Sequence, residues 1–126
     1  MITVKTIIHP SLIAGIGLFA DQDIPKGTVV WKYNSELDLL FSKDQIEVLS
    51  PASKKQFLNY AFLDKKYDKY MLCGDDGRFF NHSEMPNCDD SAEDITIALR
   101  DIQKGEELTV NYVSFYGDPD ALRKFI

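Results

Sequence analysis

The chain has 126 residues, of which 44% are hydrophobic and 27% charged, and its formal net charge is −6. This fits one soluble globular domain, long enough to bury about two thirds of its unfolded surface without covalent staples. The acidic balance argues against a binder of nucleic-acid phosphates, and no apolar run approaches the ~20 residues that a membrane span needs.

Residues 2–8 (ITVKTII) alternate and are rich in β-branched side chains, which predicts a strand. The N-terminus lacks a long apolar segment ending in small residues, so no secretory leader is expected, and the protein is expected in the cytoplasm, or in the nucleus of a eukaryotic source. AGIGLFA follows, with Gly15 and Gly17 flanking Ile16. After the turn PKG, TVVWKY (28–33) is a second strand. Ser42 is placed to cap a short helix running to about Leu49. Ser50-Pro51 starts another, with Ser as N-cap and Pro at the first position, carrying Phe57, Leu58, Ala61 and Phe62 on one face over roughly 52–62. KYMLC (69–73) reads as a strand closed by the turn GDDG, and ITIALR (95–100) and ELTVNY (107–112) read as further strands. Asp118-Pro119 repeats the cap-plus-proline signal for a short C-terminal helix. Many short strands around a helical insert at about 42–62 make a single, mainly β domain with minor helix, built from small sheets.

A partial repeat is visible. ADQDIPKG (20–27) and ALRDIQKG (98–105) share Ala, Asp, Ile, Lys and Gly, and each is followed by a strand ending in a tyrosine, Tyr33 or Tyr112. Each Ile is expected to turn inward and each Lys-Gly to form a turn. Cys73 and Cys88 form no CxxC pair. They read as free buried thiols, and with His9 and His82 they match no zinc spacing, so no metal site is predicted.

Three stretches offer chemistry. AGIGLFA lets a backbone approach a ligand closely, or makes a tight turn; without a third glycine or a following βαβ unit it is no dinucleotide fingerprint. RFFNHSEMPNC (78–88) has loop composition, yet sets an aromatic pair against Asn81 and His82. The amide of Asn81 can bond carboxylates and ammonium groups alike. Its sequon, Asn-His-Ser, is not expected to be glycosylated without an export signal. In GEELTVNY (105–112), alternation puts Leu108, Val110 and Tyr112 on one face, and a tyrosine there needs a partner or a substrate. Read singly, each stretch is better explained as ordinary structure.

Together and in this order they resemble the SET-domain family of protein lysine methyltransferases. The resemblance rests on GIGLFA, RFFNHSEMPNC, GEELTVNY and the two D-I-x-K-G turns, and covers about residues 5–116. It implies a β-clip-like fold of several small sheets, a short helical insert and a C-terminal pseudoknot, in which the last segment threads beneath a loop near Asn81-His82. The cofactor it implies is S-adenosylmethionine. Gly15, Ile16 and Gly17 would line the methionine end through their backbone, and Asn81 would hold the amino-acid moiety. His82 would recognise the adenine through backbone groups, while Arg78 and Phe79 would belong to the cofactor site and, with Phe80, lock its loop. Tyr112 would touch the cofactor and be the catalytic tyrosine, orienting the amine of a target lysine. Val110, Phe115 and Tyr116 would belong to the substrate channel. Val110 stands where the family often has Phe or Tyr, and its lack of a hydroxyl implies room for two or three methyl groups.

Two further departures mark the chain. Glu84 replaces a frequent Cys, and the stretch 113–126 holds no zinc-binding cysteines, so Phe115, Tyr116 and the short tail, or the partner of a homodimer, would close the channel. The acidic run CDDSAED (88–94) is a solvated loop or an electrostatic guide for a basic peptide around the target lysine. A non-catalytic module that kept the fold and the cofactor is the competing reading.

Overall fold

The computed structural model describes residues 1–112, arranged as four small sheets with two short helices. The expected strands at 28–33, 69–73, 95–100 and 107–112 are present in shortened form, and the one expected at 2–8 is shifted to Thr6–Pro10. β1 (Thr6–Pro10) pairs antiparallel with β2 (Ile16–Ala20). β3 (Val29–Lys32) pairs with β9 (Ile95–Ala98), which also pairs with the two-residue β8 (Cys88–Asp89). β6 (Lys69–Leu72) is the centre of a third sheet, between β4 (Leu39–Phe41) and β5 (Phe62–Asp64). The fourth sheet is the parallel pair β7 (Asn81–His82) and β10 (Thr109–Val110).

The helix signals hold at their starts. Ser42 caps α1 (Lys43–Glu47) in a reciprocal capping box with Gln45, and Ser50 caps α2 (Pro51–Leu58) with Pro51 in the first turn. The expected end of α2 at about residue 62 is corrected: the helix stops at Leu58. Tyr60 and Ala61 both donate to the carbonyl of Phe57, and Phe62 then pairs with Met71 across β5 and β6. Ala61, between the helix end and β5, is buried. The GDDG turn becomes the lead-in to a 3-10 helix (Asp76–Phe79) whose first free amides are met by the Asp75 carboxylate, which accepts from Gly77 N at 3.0 Å.

The repeat is a reciprocal interlock. Ile24 and Ile102 exchange both backbone hydrogen bonds at 2.8 Å, and each is 1% exposed. Asp101 accepts from the amide of Lys26 at 2.8 Å, and Asp23 accepts from the amide of Lys104 at 2.9 Å. Gly27 donates to Ala98 and Gly105 to Ala20. Both glycines have positive φ, 85° and 95°, as the third residue of the turn requires. The two copies thus close on each other around a local two-fold.

The main core packs Leu18, Ala20, Ile24, Val30, Leu108 and Val110 with the interlocked isoleucines at its centre. A second cluster surrounds Trp31, Met71 and Cys73, and Ile2 and Phe80 touch both. Phe80 therefore lies at the junction of the two cores, immediately before Asn81.

Candidate active site

The strand β10 is bolted into place by the loop that follows β7. On one side it pairs with β7, and Ser83 N donates to Val110 O at 3.0 Å. On the other, Asn87 is 4% exposed and its side chain both accepts from Thr109 N (2.9 Å) and donates to Glu107 O (2.8 Å). The Asn87 amide adds a bond to Thr109 Oγ1 at 3.2 Å. One asparagine side chain thus reproduces a strand neighbour, and residues 107–110 run between two partners from a single loop. That arrangement is what brings the ends of two distant motifs together.

The first cluster forms where β10, β7 and the GxG stretch meet. Asn81 Nδ2 donates to Glu107 Oε2 at 2.8 Å and to the carbonyls of Ala14 (3.1 Å) and Ile16 (3.4 Å). Three acceptors around one nitrogen fix the amide orientation, leaving the Asn81 oxygen on the opposite side. Ser11 Oγ donates to the same carboxylate, at 2.7 and 3.0 Å to its two oxygens. Gly17 has no room for a side chain here: a Cβ would lie 2.5 Å from Glu107 Oε2 and 3.1 Å from Ser11 Cβ. Gly15, Ile16, Gly17 and Asn81 are therefore brought together, around a carboxylate that the sequence reading did not single out.

Tyr112 is tied to the residues on either side of Asn81. Its hydroxyl donates to Phe80 O, and its backbone N–H donates to His82 Nδ1 at 3.0 Å. His82 Nδ1 is thus an acceptor, which places the proton of the neutral imidazole on Nε2. The two rings are 5.3 Å apart. Burial, with a smaller contribution from the Glu107 charge, raises the phenol above its ordinary range, so Tyr112 stays protonated at neutral pH.

Tyr112 also borders a cavity of about 150 Å³ that none of the first cluster lines. Trp31, Tyr60, Phe62, Arg78 and Phe80 form walls with it. Acidic residues of two segments, Asp64 and Glu93-Asp94, line the same space. Lys66, two residues after Asp64, pairs with the second segment, its Nζ 2.6 Å from Asp94 and 3.7 Å from Glu93. Of the two residues expected at the cofactor site, Arg78 instead lines this cavity and Phe79 packs against the main core. The Arg78 guanidinium donates to Cys73 O at 3.0 Å and lies 5.5 Å from the Tyr60 ring centre, and Phe79 meets Tyr60 edge-on at 6.0 Å. Both brace the helical insert against the loop that carries Asn81.

Val110 is fully enclosed in the main core, and its neighbour Tyr112 is the residue that borders the cavity. Phe115 and Tyr116 lie outside the described residues. Four residues absent from the sequence reading carry weight: Glu107, Asn87, Tyr60 and Trp31. A signal existed for Glu107. The pair Glu106-Glu107 sits at the start of a strand, so the two must face opposite ways; Glu106 turns out to Arg100 (3.1 Å) while Glu107 turns in.

Residues 15–113 match the SET domain family. A Mycosarcoma maydis protein named "Histone-lysine N-methyltransferase, H3 lysine-36 specific" is 35% identical over 115 residues, covering 82% of this chain and 12% of that protein. A Danio rerio protein named "N-lysine methyltransferase KMT5A-A" is 33% identical over 110 residues, covering 78% of this chain and 32% of that one. The chain thus spans a minor part of the length of these relatives. Among solved structures, an apo form of ctPRC2 with mutations in Ezh2 superposes with a TM-score of 0.68 at 26% identity, over 97% of this chain and 16% of that one. A Plasmodium falciparum crystal structure, covered to 95% of its length and covering 88% of this chain, shares the fold with a TM-score of 0.60 at 20% identity. The motif residues, the bolted strand and the family match agree, and the chain belongs to the SET domain family.

Proposed function

We propose that this chain transfers methyl groups from S-adenosylmethionine to the ε-amine of a lysine in a protein substrate. The observation that carries this reading is the place of Tyr112, which borders the acidic-rimmed cavity while its own hydrogen bonds tie it to the residues flanking Asn81. One residue joins a cradle fit for a cofactor to a hole fit for a side chain.

The cradle suits the amino-acid end of the cofactor. A carboxylate and an amide converge beside a backbone that Gly17 keeps bare, and the Asn81 oxygen is turned away from Glu107 as an acceptor for an ammonium group. Gly15, Ile16 and Gly17 would contribute backbone, Asn81 its side chain and His82 its backbone. Bound there, the cofactor supplies a sulfonium methyl group.

The chain's own residues then have three tasks. The first is deprotonation: at pH 7 a lysine of pKa ~10.4 requires roughly 4–5 kcal/mol to lose its proton. Apolar walls such as Phe62 and Phe80 lower that requirement by disfavouring the ammonium. The second is alignment of the amine for in-line attack. Tyr112 is no base for this step, because burial keeps its phenol protonated; its oxygen orients the amine or the methyl group. The third is capture. The net charge of −6 favours a lysine set among basic residues, while at the cavity Lys66 already pairs with Asp94 and Glu93 and leaves Asp64 as a carboxylate of the rim.

The test is transfer of labelled methyl groups from S-adenosylmethionine to core histones and to a cell lysate, with mass spectrometry to locate the product. Tyr112→Phe is expected to lower the rate on the order of a hundredfold. Cofactor binding without transfer to any protein would overturn the enzyme and leave a binding module.

A further inference from the structure

Trp31 is the only tryptophan of the chain, is 8% exposed, and lines the same cavity as Tyr112. Its indole Nε1 is buried and has no hydrogen-bond partner among the described residues. Buried donors are nearly always bonded, so an orphan of this kind on a cavity wall marks a place where something else brings the acceptor. Gly77 is buried against that edge of the ring and sets no side chain there. A Cβ at Gly77 would lie 3.0 Å from Trp31 Cδ1 and 3.1 Å from Nε1.

The identity of the acceptor follows from the donors present. The indole N–H only donates; a lysine ammonium has no acceptor for it, and a neutral amine aligned for attack spends its one lone pair on the methyl group, so the head of an arriving lysine does not satisfy it in either form. A peptide that delivers a lysine also carries a carbonyl oxygen at every residue. The cavity, at about 150 Å³, exceeds the ~30 Å³ share of a single water several times over and has room for more than an alkyl chain. We propose that Trp31 positions the substrate: its indole N–H donates to a main-chain carbonyl oxygen that the peptide brings into the cavity beside its lysine. This rests on the reading of the cavity as the lysine channel. It makes Trp31 a positioning residue that acts on binding of the peptide and leaves the methyl-transfer step alone.

The experiment compares two ligands by NMR titration: a histone H3 peptide carrying lysine 36, and n-butylamine, which has the alkyl amine without a carbonyl. Trp31→Phe is expected to weaken the peptide about five- to tenfold and to leave butylamine unchanged within about twofold. KM for the peptide rises by the same factor while kcat holds. Gly77→Ala keeps the indole but sets a Cβ 3.1 Å from its Nε1 and 3.0 Å from Asp75 Oδ1, and the same peptide-specific loss is expected; unchanged butylamine binding in this variant separates loss of the donor from a loosened core. In the wild type, the peptide shifts the fluorescence emission of Trp31. Equal losses for both ligands would reduce Trp31 to a shape-filling wall. No loss for either would mean that water serves the donor in every state. Either result overturns the inference, as does a peptide that fails to bind or binds without changing the emission. A peptide that binds and shifts the emission but is never methylated would instead sink the enzyme reading and leave the role of Trp31 standing.

Discussion

Replacing Asn87 with alanine tests the bolt on which the whole site depends. The Asn87 side chain is the acceptor for Thr109 N and the donor to Glu107 O, at 2.9 and 2.8 Å, and both Asn87 and Thr109 are buried. Alanine leaves an amide and a carbonyl without partners where water has little access, at about 1–3 kcal/mol each. The sum, roughly 2–6 kcal/mol, is a large part of the 5–15 kcal/mol that separates folded from unfolded states in ordinary domains. The Asn87 backbone bond to Thr109 Oγ1 survives the change, so a value near 3 kcal/mol is expected. Urea unfolding measures it, with the slope checked against the wild type so that the shift in midpoint reports stability alone. Asn87→Asp sharpens the result. It retains the acceptor for Thr109 but loses the donor to Glu107 and brings a buried charge, so it should be no milder than alanine. A loss below 1 kcal/mol for Asn87→Ala with unchanged slope would refute the claim that this side chain stands in for a strand.

Gly17→Ala drives a methyl group to 2.5 Å from Glu107 Oε2, so the carboxylate must leave Asn81 and Ser11; binding of S-adenosylmethionine, followed by calorimetry, is expected to fall at least tenfold. Asp23→Ala and Asp101→Ala each remove one equivalent cap in the interlocked repeat, so both should cost about 1 kcal/mol and agree closely in denaturant midpoints. Val110→Tyr overpacks a fully enclosed site and should cost about 1–3 kcal/mol in the same assay before it changes any product distribution. Alkaline pH should destabilise the fold. Burial pushes the Cys73 and Cys88 thiols from 9.0 up to about 12, with lesser contributions from Asp38 and Asp75 at Cys73 and from Asp90 at Cys88, and it also raises the Tyr112 phenol. Groups raised in the folded state contribute fully below their unfolded pKa, so melting temperatures should hold up to about pH 9 and fall between there and 12.

Features set by neighbouring residues were legible in the sequence. Ser42 and Ser50-Pro51 announce helix starts because a cap is a contact across three positions. The D-I-x-K-G pair was legible as two turns, and its isoleucines were rightly expected inside; that the copies bond each other was not, because Asp23 reaches Lys104 across 81 positions. Strands β4 and β5 escaped for a related reason. LLF and FLD are too short to show alternation, and only β6 between them makes them strands. The family motifs named Asn81, which lies in the cradle, and Tyr112, which borders the cavity and bonds to the residues on either side of Asn81.

What composition could not convey is how a carboxylate comes to organise the cradle. Glu107 lies one position from Glu106 and shares its chemistry, yet the two have opposite fates. Glu106 sits on the turn that ends the repeat, where Arg100 and the amide of Gln103 claim it. Glu107 is the first residue of the bolted segment, and Asn87 holds its backbone so that its side chain crosses to Gly17, Ser11 and Asn81. The orientation is therefore set by a side chain 20 positions away, not by the local pattern. The same bolt fixes Tyr112 five residues on, through β10 and His82. Cradle and cavity consequently share one determinant, and this yields a last expectation: Asn87→Ala should weaken cofactor binding and slow methyl transfer together, whereas Trp31→Phe should touch peptide binding alone. Equilibrium binding of S-adenosylmethionine to the folded fraction of each variant separates the two. Wild-type affinity for the cofactor in Asn87→Ala would show that Glu107 is positioned by its own contacts and that the bolt serves stability only.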